Sequence, residues 1–164
     1  SISNAMMTFT AQNDGAKKPK RIKDGFRSGI MLEIGYAVFI CAVLLVFDKQ
    51  LIGLFGDSKQ MLSEGSRYFA VMAFFYWLPG VTNAHQGFLR GVGKMKMTLY
   101  GTLTQITFRV IFTFLLVPRM GLVGVGFACI AGWIAMLGWQ APYCIHIRKK
   151  MMIEREVNNY DLQG

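Results

Sequence analysis

Seven polar or aromatic side chains within otherwise apolar stretches could do chemistry in this sequence. They are Glu33, Tyr76, Trp77, Asn83, His85, Gln105 and Arg109. A carboxylate and an imidazole can hold or pass a proton, and histidine titrates near neutral pH. No nucleophile with a base, paired carboxylates, metal cluster or phosphate loop accompanies them. These residue types therefore indicate the binding and movement of small cations or organic molecules, and they do not indicate an enzyme.

Arg109 is the most unusual of these residues because a guanidinium inside a membrane costs about 2.5–3.5 kcal/mol on insertion scales. It lies about 18 Å along its predicted helix. Glu33 lies only about 5 Å into its own helix. The difference in depth between the two residues is too large for Glu33 to pair with Arg109. We expect Arg109 to face the bundle interior and to organise the helices through carbonyls, water or residues outside this chain. Direct contact with substrate or ions and snorkelling to the interface are the alternatives.

The other candidates each allow a functional and a simpler interpretation. Glu33 and His85 are predicted at similar depth, about 5 Å from the ends of consecutive helices, and could form a proton relay or an inner gate. The simpler alternative is a solvated carboxylate and a packing histidine. Asn83 could line a water-filled path, or it could bond to neighbouring helices. Tyr76 and Trp77 could bind flat cations or pack against lipid.

Gln105 and Arg109 are four residues apart and therefore share a helix face. A polar stripe of this kind suits the lining of a transport pathway. Hydrogen bonds between helices would use the same residues, so both interpretations remain open.

The elements that carry these residues are long apolar runs. The 164-residue chain is 53% hydrophobic and only 16% charged, whereas roughly 25% is charged in typical soluble domains. A run of about 20 apolar residues crosses the hydrocarbon layer of a membrane as a helix. The predicted fold is therefore all-α, a polytopic transmembrane bundle. Its spanning helices are predicted at about 30–47, 68–88, 97–117 and 122–145, within a membrane region of 30–147.

The remaining segments connect or flank these helices. Residues 1–13 resemble the end of a further transmembrane helix whose beginning is missing. Residues 14–29 form a basic connection, and residues 148–164 form a polar tail. The stretch from Gly87 to Lys94 predicts a tight turn, with glycines for the bend and basic side chains for the headgroups. The three cysteines stand in apolar runs without ligand spacing, and they predict packing positions.

The basic residues are distributed unevenly between the two sides of the predicted bundle. The net charge is +9, and thirteen of the 18 Lys and Arg residues fall in the 14–27 segment, the 90–96 turn and the C-terminal segment. The positive-inside rule makes this the cytoplasmic side. The pattern predicts a multi-pass protein of the plasma or inner membrane with a cytoplasmic C-terminus, and it does not favour nucleic acid as a partner.

Four segments in order resemble the C-terminal lobe of the MATE (multidrug and toxic compound extrusion) transporters. Residues 10–21 resemble the family's A-Q-N-x-G-A-x-x-x-x-R segment, and residues 87–94 resemble its G-x-L-R-G-x-G-[KD] turn. Residues 108–110 resemble the arginine of the following helix, and residues 118–126 resemble the turn into the last helix. Together these segments cover almost the whole chain.

The resemblance implies a twelve-helix protein, of which this chain holds the end of the eighth helix and the ninth to twelfth. It implies secondary active efflux of organic, often cationic or drug-like, compounds by antiport with H⁺ or Na⁺, without another cofactor. The implied partners are membrane lipids, a small organic substrate and the missing N-terminal lobe. Some members carry a cation-binding aspartate near the position of Pro79. Others rely on an acidic residue in the first helix, which lies outside this chain.

Two other functions fit the helical pattern. A flippase-type transporter of lipid-linked saccharides shares the general plan, and Arg109 is the residue that points to it. A non-transport membrane anchor or assembly module would also need four such helices. Because no second catalytic group accompanies His85, a membrane enzyme is not predicted.

Overall fold

A computed structural model describes residues 2–53 and 59–161, and these ranges contain helices and no strands. The helices are α1 (Ile2–Gly15), α2 (Pro19–Val46), α3 (Asp48–Gly53), α4 (Lys59–Phe74), α5 (Trp77–Gly91), α6 (Met95–Met120) and α7 (Leu122–Asp161). The predicted all-α fold is confirmed. Ser1, at the start of the predicted segment 1–13, lies outside the described residues. So do the last three residues, at the end of the predicted segment 148–164.

Three of the described helices are long and apolar enough to cross a membrane. They are α2, α6 and the part of α7 from Leu122 to Glu154. The remaining predicted span, 68–88, is found as the consecutive helices α4 and α5. The chain is therefore an integral membrane protein, as the apolar runs predict.

Helix α2 begins at Pro19, so the predicted connection at 14–29 is wrong over most of its length. Proline suits the first turn of a helix because its missing N–H would have no intrahelical partner there. Ile22, Phe26 and Gly29 then form a buried face at helical spacing. Four basic residues of this segment, Lys20, Arg21, Lys23 and Arg27, are consequently part of α2.

The turn between α6 and α7 is shorter than the predicted 118–121. Helix α6 continues through Pro118 to Met120. Gly121 is the single residue between the two helices. Its φ is positive, at 59°, a conformation that glycine adopts without steric cost. Gly124 then packs directly on the α6 backbone at Leu116, which holds the two helices side by side. Helix α7 continues past residue 148, where a polar tail was predicted.

The best-packed core lies at one end of the bundle, which we call the basic side because residues 17–27, the turn at 92–94 and residues 148–150 lie there. Its buried members are Met6, Ile22, Phe26, Ala84, Phe88, Leu89 and Cys144. They come from α1, α2, α5 and α7, so this core joins the first helix of the chain to the last. Helix α6 packs along α7 and exposes most of its surface.

Candidate functional site at a broken membrane helix

The predicted span at 68–88 is interrupted between α4 and α5. The amide of Tyr76 donates to the carbonyl of Ala73 at 3.2 Å, and the amide of Leu78 donates to that of Phe75 at 2.9 Å, so the regular ladder is lost here. The cause is Pro79, whose ring clashes with the carbonyl four residues earlier and which has no N–H to donate. The break therefore lies in the turn before the proline.

Glu33 lies beside the first turn of α5, immediately after this break. Its side chain is buried, with 7% of its surface exposed. A Cβ atom on Gly80 would lie 3.3 Å from the Cβ of Glu33 and 3.5 Å from its Oε2. Because Gly80 has no side chain, the side chain of Glu33 can pack against the backbone of α5 at this position. The first turn of a helix is the positive end of its dipole, which favours a negative charge there.

The structure places Glu33 deeper in the bundle than the sequence predicted. Gly80 is eleven residues from Gly91 at the basic end of α5, a rise of about 16 Å. The predicted depth of about 5 Å is wrong because it was counted from Ile30 as the first residue of the helix. Helix α2 already packs inside the bundle at Ile22 and Phe26. Glu33 is thus a buried carboxylate about 16 Å from the basic end of α5.

His85 belongs to a different layer of the bundle. Its Nδ1 lies 2.8 Å from the carbonyl oxygen of Val81, and because a carbonyl can only accept, Nδ1 carries the proton in this bond. Its ring meets Phe26 edge-on, with centroids 5.2 Å apart. Phe26 precedes Glu33 by seven residues, or about 10 Å along α2. The predicted pairing of Glu33 with His85 at one depth is therefore wrong in this structure.

A cationic side chain that the sequence analysis assigned to the tail completes the layer around His85. The guanidinium carbon of Arg148 lies 4.2 Å from the centroid of the Phe26 ring, a cation–π contact. Phe88 meets the same ring at 5.4 Å. In the sequence Arg148 follows the last apolar run and resembles a headgroup anchor. Its contact with Phe26 depends on α7 continuing as a helix past this position.

The remaining candidates on α5 lie near the break or face outward. Tyr76 immediately precedes α5 and is half-buried. Trp77 is its first residue and has 44% of its surface exposed. The side chain of Asn83 is exposed, and its main-chain carbonyl accepts a hydrogen bond from Ser3 Oγ at 2.9 Å. Trp77 and Tyr76 thus offer aromatic surface close to the broken segment.

Gln105 and Arg109 lie on α6, away from the break. Gln105 is half-buried where α6 crosses α7, and a Cβ on Gly132 would lie 2.7 Å from its carbonyl oxygen. Arg109, one turn further on, is exposed. The expectation that Arg109 faces the interior of the bundle is wrong for the bundle that this chain forms, because α6 packs along α7 through other residues, among them Gln105 and Leu116.

A polar cluster that the sequence analysis missed joins α5, α6 and α7. Gln86 Nε2 donates to Thr102 Oγ1 at 3.4 Å. Gln140 Nε2 donates to the carbonyl of Met97 at 3.2 Å. Gln140 is completely buried, and its Oε1 has no hydrogen-bond partner. An amide inside an apolar run is the available signal, and the predictions above use it for Asn83 and Gln105 but not for Gln86 or Gln140.

The glycines of the 87–94 stretch serve packing more than bending. A Cβ on Gly87 would lie 2.6 Å from the carbonyl oxygen of Ser3, and one on Gly91 would lie 2.8 Å from that of Met7. These two glycines let α5 touch the backbone of α1. The bend itself uses Gly93, whose φ is 73°.

Arg90, predicted to reach the headgroups, instead ties the same two helices together. Its Nη2 donates to Ser3 Oγ at 2.8 Å, and its Nε donates to the carbonyl of Gln86 at 3.3 Å. The headgroup role predicted for this arginine is therefore wrong, because both bonds hold its guanidinium against the helices.

Thiol and metal chemistry find little support in the described part of the chain. Cys41, Cys129 and Cys144 are free, and the last two are buried. Within residues 2–53 and 59–161, no three His, Cys, Asp or Glu side chains converge as a metal site would require. The cysteines occupy packing positions.

These features place the chain among polytopic membrane proteins. Spans that are broken near their middle beside a buried carboxylate occur in secondary transporters, in which discontinuous helices mark the binding region. The sequence matches the model of the MatE family over residues 1–115. The chain belongs to the MatE family.

Two curated relatives share part of this sequence. The "Probable multidrug resistance protein NorM" of Bacillus subtilis (strain 168) is 28% identical over 99 residues, which are 60% of this chain and 22% of that protein. The protein of the same name from Bacillus licheniformis is 25% identical over the same shares. The chain thus spans about a fifth of the length of these relatives.

A solved structure shares the fold. It is described as the inward-facing conformation of a multidrug resistance MATE family transporter of the MOP superfamily, and it superposes with a TM-score of 0.79 at 16% identity. The match covers 87% of this chain and 33% of that structure. The seven described helices therefore correspond to one part of a larger transporter fold.

Proposed function

We propose that the protein to which this chain belongs exports organic, often cationic or drug-like, compounds by antiport with H⁺ or Na⁺. Membership of the MatE family and the multidrug-resistance names of its relatives support this proposal. The proposal includes no enzymatic step and no cofactor besides the coupling ion. It places the protein in the plasma or inner membrane with its basic side in the cytoplasm, as the positive-inside rule favours.

The observation that carries the proposal is the Glu33 carboxylate beside the broken helix. A buried carboxylate is stabilised by the positive end of α5 when it is ionised, and it loses that interaction when it binds a proton. Binding of H⁺ or Na⁺ would therefore change the contact between α2 and α5. A ligand shifts a conformational equilibrium by its difference in affinity for the two states, and Glu33 is placed to supply that difference.

The aromatic residues at the break fit the proposed substrate class. Trp77 is partly exposed, and Tyr76 lies next to it. Aromatic faces attract organic cations, with an energy of about 0.5–2 kcal/mol per contact. The missing N-terminal lobe would supply the opposite wall of the pathway, so Asn83, Gln105 and Arg109 remain predicted lining residues that can face it.

The proposal is tested by Glu33→Gln in the full-length protein. The amide keeps the shape of the side chain but cannot be ionised, so we expect energised efflux of a cationic dye to fall close to the background of vesicles without the protein. Efflux is followed by fluorescence in everted vesicles with an imposed H⁺ or Na⁺ gradient. Glu154→Gln is the matched control, because its side chain is 62% exposed near the end of α7.

The outcomes separate the two parts of the proposal. Wild-type protein that shows no gradient-dependent efflux with either ion would contradict antiport itself. If the wild type is active and Glu33→Gln transports with the same ion dependence, antiport stands and Glu33 has no part in coupling.

A further inference from the structure

A groove between α1 and α2 opens on the surface of the bundle at its basic side. It has a volume of about 430 Å³. Side chains of Ile2, Ala5 and Phe9 line it from α1, and Leu32 lines it from α2. Its walls are therefore mainly aliphatic and aromatic, and none of these residues belongs to the break near Glu33.

The shape of the groove depends on two glycines of α2. A Cβ on Gly25 would overlap the ring of Phe9, and a Cβ on Gly29 would overlap the side chain of Met6. The two helices can therefore approach closely along this line. The groove follows α2 from Arg21 to Leu32, eleven residues and about 16 Å.

One end of the groove is polar and lies among the basic residues of α2. Arg21 lines this end and is exposed. It forms no ion pair within the part of the chain that the structure describes. Further basic residues surround this end in the sequence, namely Lys17, Lys18, Lys20, Lys23 and Arg27. Asp24 also lines the groove, and its carboxylate offsets part of the positive charge of the surrounding basic residues.

We propose that this groove binds an anionic phospholipid of the cytoplasmic leaflet. Arg21 binds the phosphate, because a guanidinium matches phosphate oxygens in charge and geometry, and one acyl chain lies along the apolar walls toward Leu32. Basic clusters directly cytoplasmic of a membrane helix attract anionic lipids by about 1 kcal/mol per residue near the surface. The carboxylate of Asp24 would repel a headgroup that carries two negative charges. A phospholipid whose phosphodiester headgroup carries one negative charge, such as phosphatidylglycerol, therefore fits best. This site does not depend on the proposed transport activity.

The test uses the full-length protein in liposomes that contain phosphatidylglycerol with a photoreactive diazirine on one acyl chain. After irradiation and digestion, mass spectrometry locates the labelled peptides. We expect labelling in the peptides that contain residues 2–9 and 25–32. Excess unlabelled phosphatidylglycerol should reduce it at least severalfold, whereas phosphatidylcholine and phosphatidylethanolamine should not.

Three variants make the test specific to the groove. Arg21→Gln removes the phosphate ligand, and Ala5→Phe fills the groove from an exposed position; each should reduce labelling severalfold. Lys20→Gln removes one charge from the same helix without lining the groove, and it should label almost as the wild type does. Circular dichroism and size-exclusion chromatography confirm that each variant is folded.

Several results would overturn the proposal. Absent labelling of folded wild-type protein, or equal competition by phosphatidylcholine or phosphatidylethanolamine, would exclude a site selective for anionic lipid. Undiminished labelling of Ala5→Phe would show that the acyl chain lies elsewhere. An equal loss for Lys20→Gln and Arg21→Gln would indicate diffuse attraction to the basic helix.

Discussion

Individual glycines decide how closely the helices of this bundle approach one another. At Gly91 a Cβ would lie 2.5 Å from the Cβ of Thr10 and 2.8 Å from the carbonyl oxygen of Met7. Neither the backbone of α1 nor a buried β-branched side chain can move away at low cost. At Gly138, in the interior of α7, nothing lies within 4 Å of the same added atom, so a side chain fits there without a clash.

Gly91→Ala should therefore destabilise the protein by about 1–3 kcal/mol, the usual cost of overpacking a close contact. Gly138→Ala is the matched control, and it should leave stability unchanged or raise it, because alanine favours a helix over glycine by up to about 1 kcal/mol. Thermal unfolding of the purified full-length protein in detergent measures both. Equal midpoints for the two variants would contradict the contact between α1 and α5.

The buried amide of Gln140 allows a second prediction at a single residue. Its Oε1 has no partner, and its Nε2 bonds to the carbonyl of Met97, which α6 also uses in its own ladder. Gln140→Met should change the free energy of unfolding by less than about 1 kcal/mol, because it removes an unsatisfied acceptor without leaving a new one. Gln140→Ala should cost about 2 kcal/mol or more through the cavity it leaves. A loss for methionine as large as that for alanine would contradict this expectation and would indicate that the amide has a partner, such as a bound water.

At the scale of elements, the break between α4 and α5 is the feature that distinguishes this bundle from a set of straight helices. The ring of Pro79 causes the break by its clash with the carbonyl four residues earlier. Gly80 then lets Glu33 approach the first turn of α5. The break and the site are thus produced by two adjacent residues.

Pro79→Ala should let α4 and α5 form a more continuous helix. Amide hydrogen exchange at residues 76–78 should slow, because the lost hydrogen bonds of the ladder can form. Efflux should fall even though the protein becomes no less stable, since the start of α5 would no longer face Glu33. Fast exchange that persists in this variant would show that residues other than the proline hold the helix open.

The sequence was sufficient to predict the class of elements but not their boundaries. Apolar runs predicted the all-α membrane fold, and these runs are found in the structure. The sequence predicts a connection over residues 14–29, whereas α2 starts at Pro19, because a proline is tolerated in the first turn of a helix. This single boundary displaced the predicted depth of Glu33 by about 11 Å and suggested a partner, His85, that lies in another layer.

Contacts between helices distant in sequence could not be predicted from periodicity. Gly87 and Gly91 were assigned to a bend because glycines near a turn usually serve it, but these two pack against α1. Arg148 reaches Phe26 from a segment interpreted as a tail. Such assignments require knowing which helices are neighbours, and apolar spacing does not contain that information.

At the scale of the whole molecule, the charge asymmetry predicts how the bundle sits in the membrane. The basic side contains the turn at 92–94. The opposite side contains the α6–α7 turn, next to Met120, which is exposed. The positive-inside rule makes the first side cytoplasmic.

Lys94→Cys and Met120→Cys test this orientation in a full-length variant whose native cysteines are all replaced by alanine. In intact cells a membrane-impermeant maleimide should label Met120→Cys and spare Lys94→Cys, and in everted vesicles the pattern should reverse. Labelling is read by a mass shift on gels. The reverse pattern in intact cells would contradict the predicted cytoplasmic C-terminus.

The contact between α1 and α5 also bears on how the protein is made. Ser3 and Asn83, which bond across these helices, are 80 residues apart in the chain. At a synthesis rate of about 5–20 residues per second, α1 waits roughly 4–16 s before the helix that covers it has been translated. During this interval the surface shaped for Gly87 and Gly91 is open to lipids, insertion factors and other nascent helices. Substitutions at these glycines should therefore lower the yield of assembled protein in cells more than they lower the activity of the molecules that do assemble.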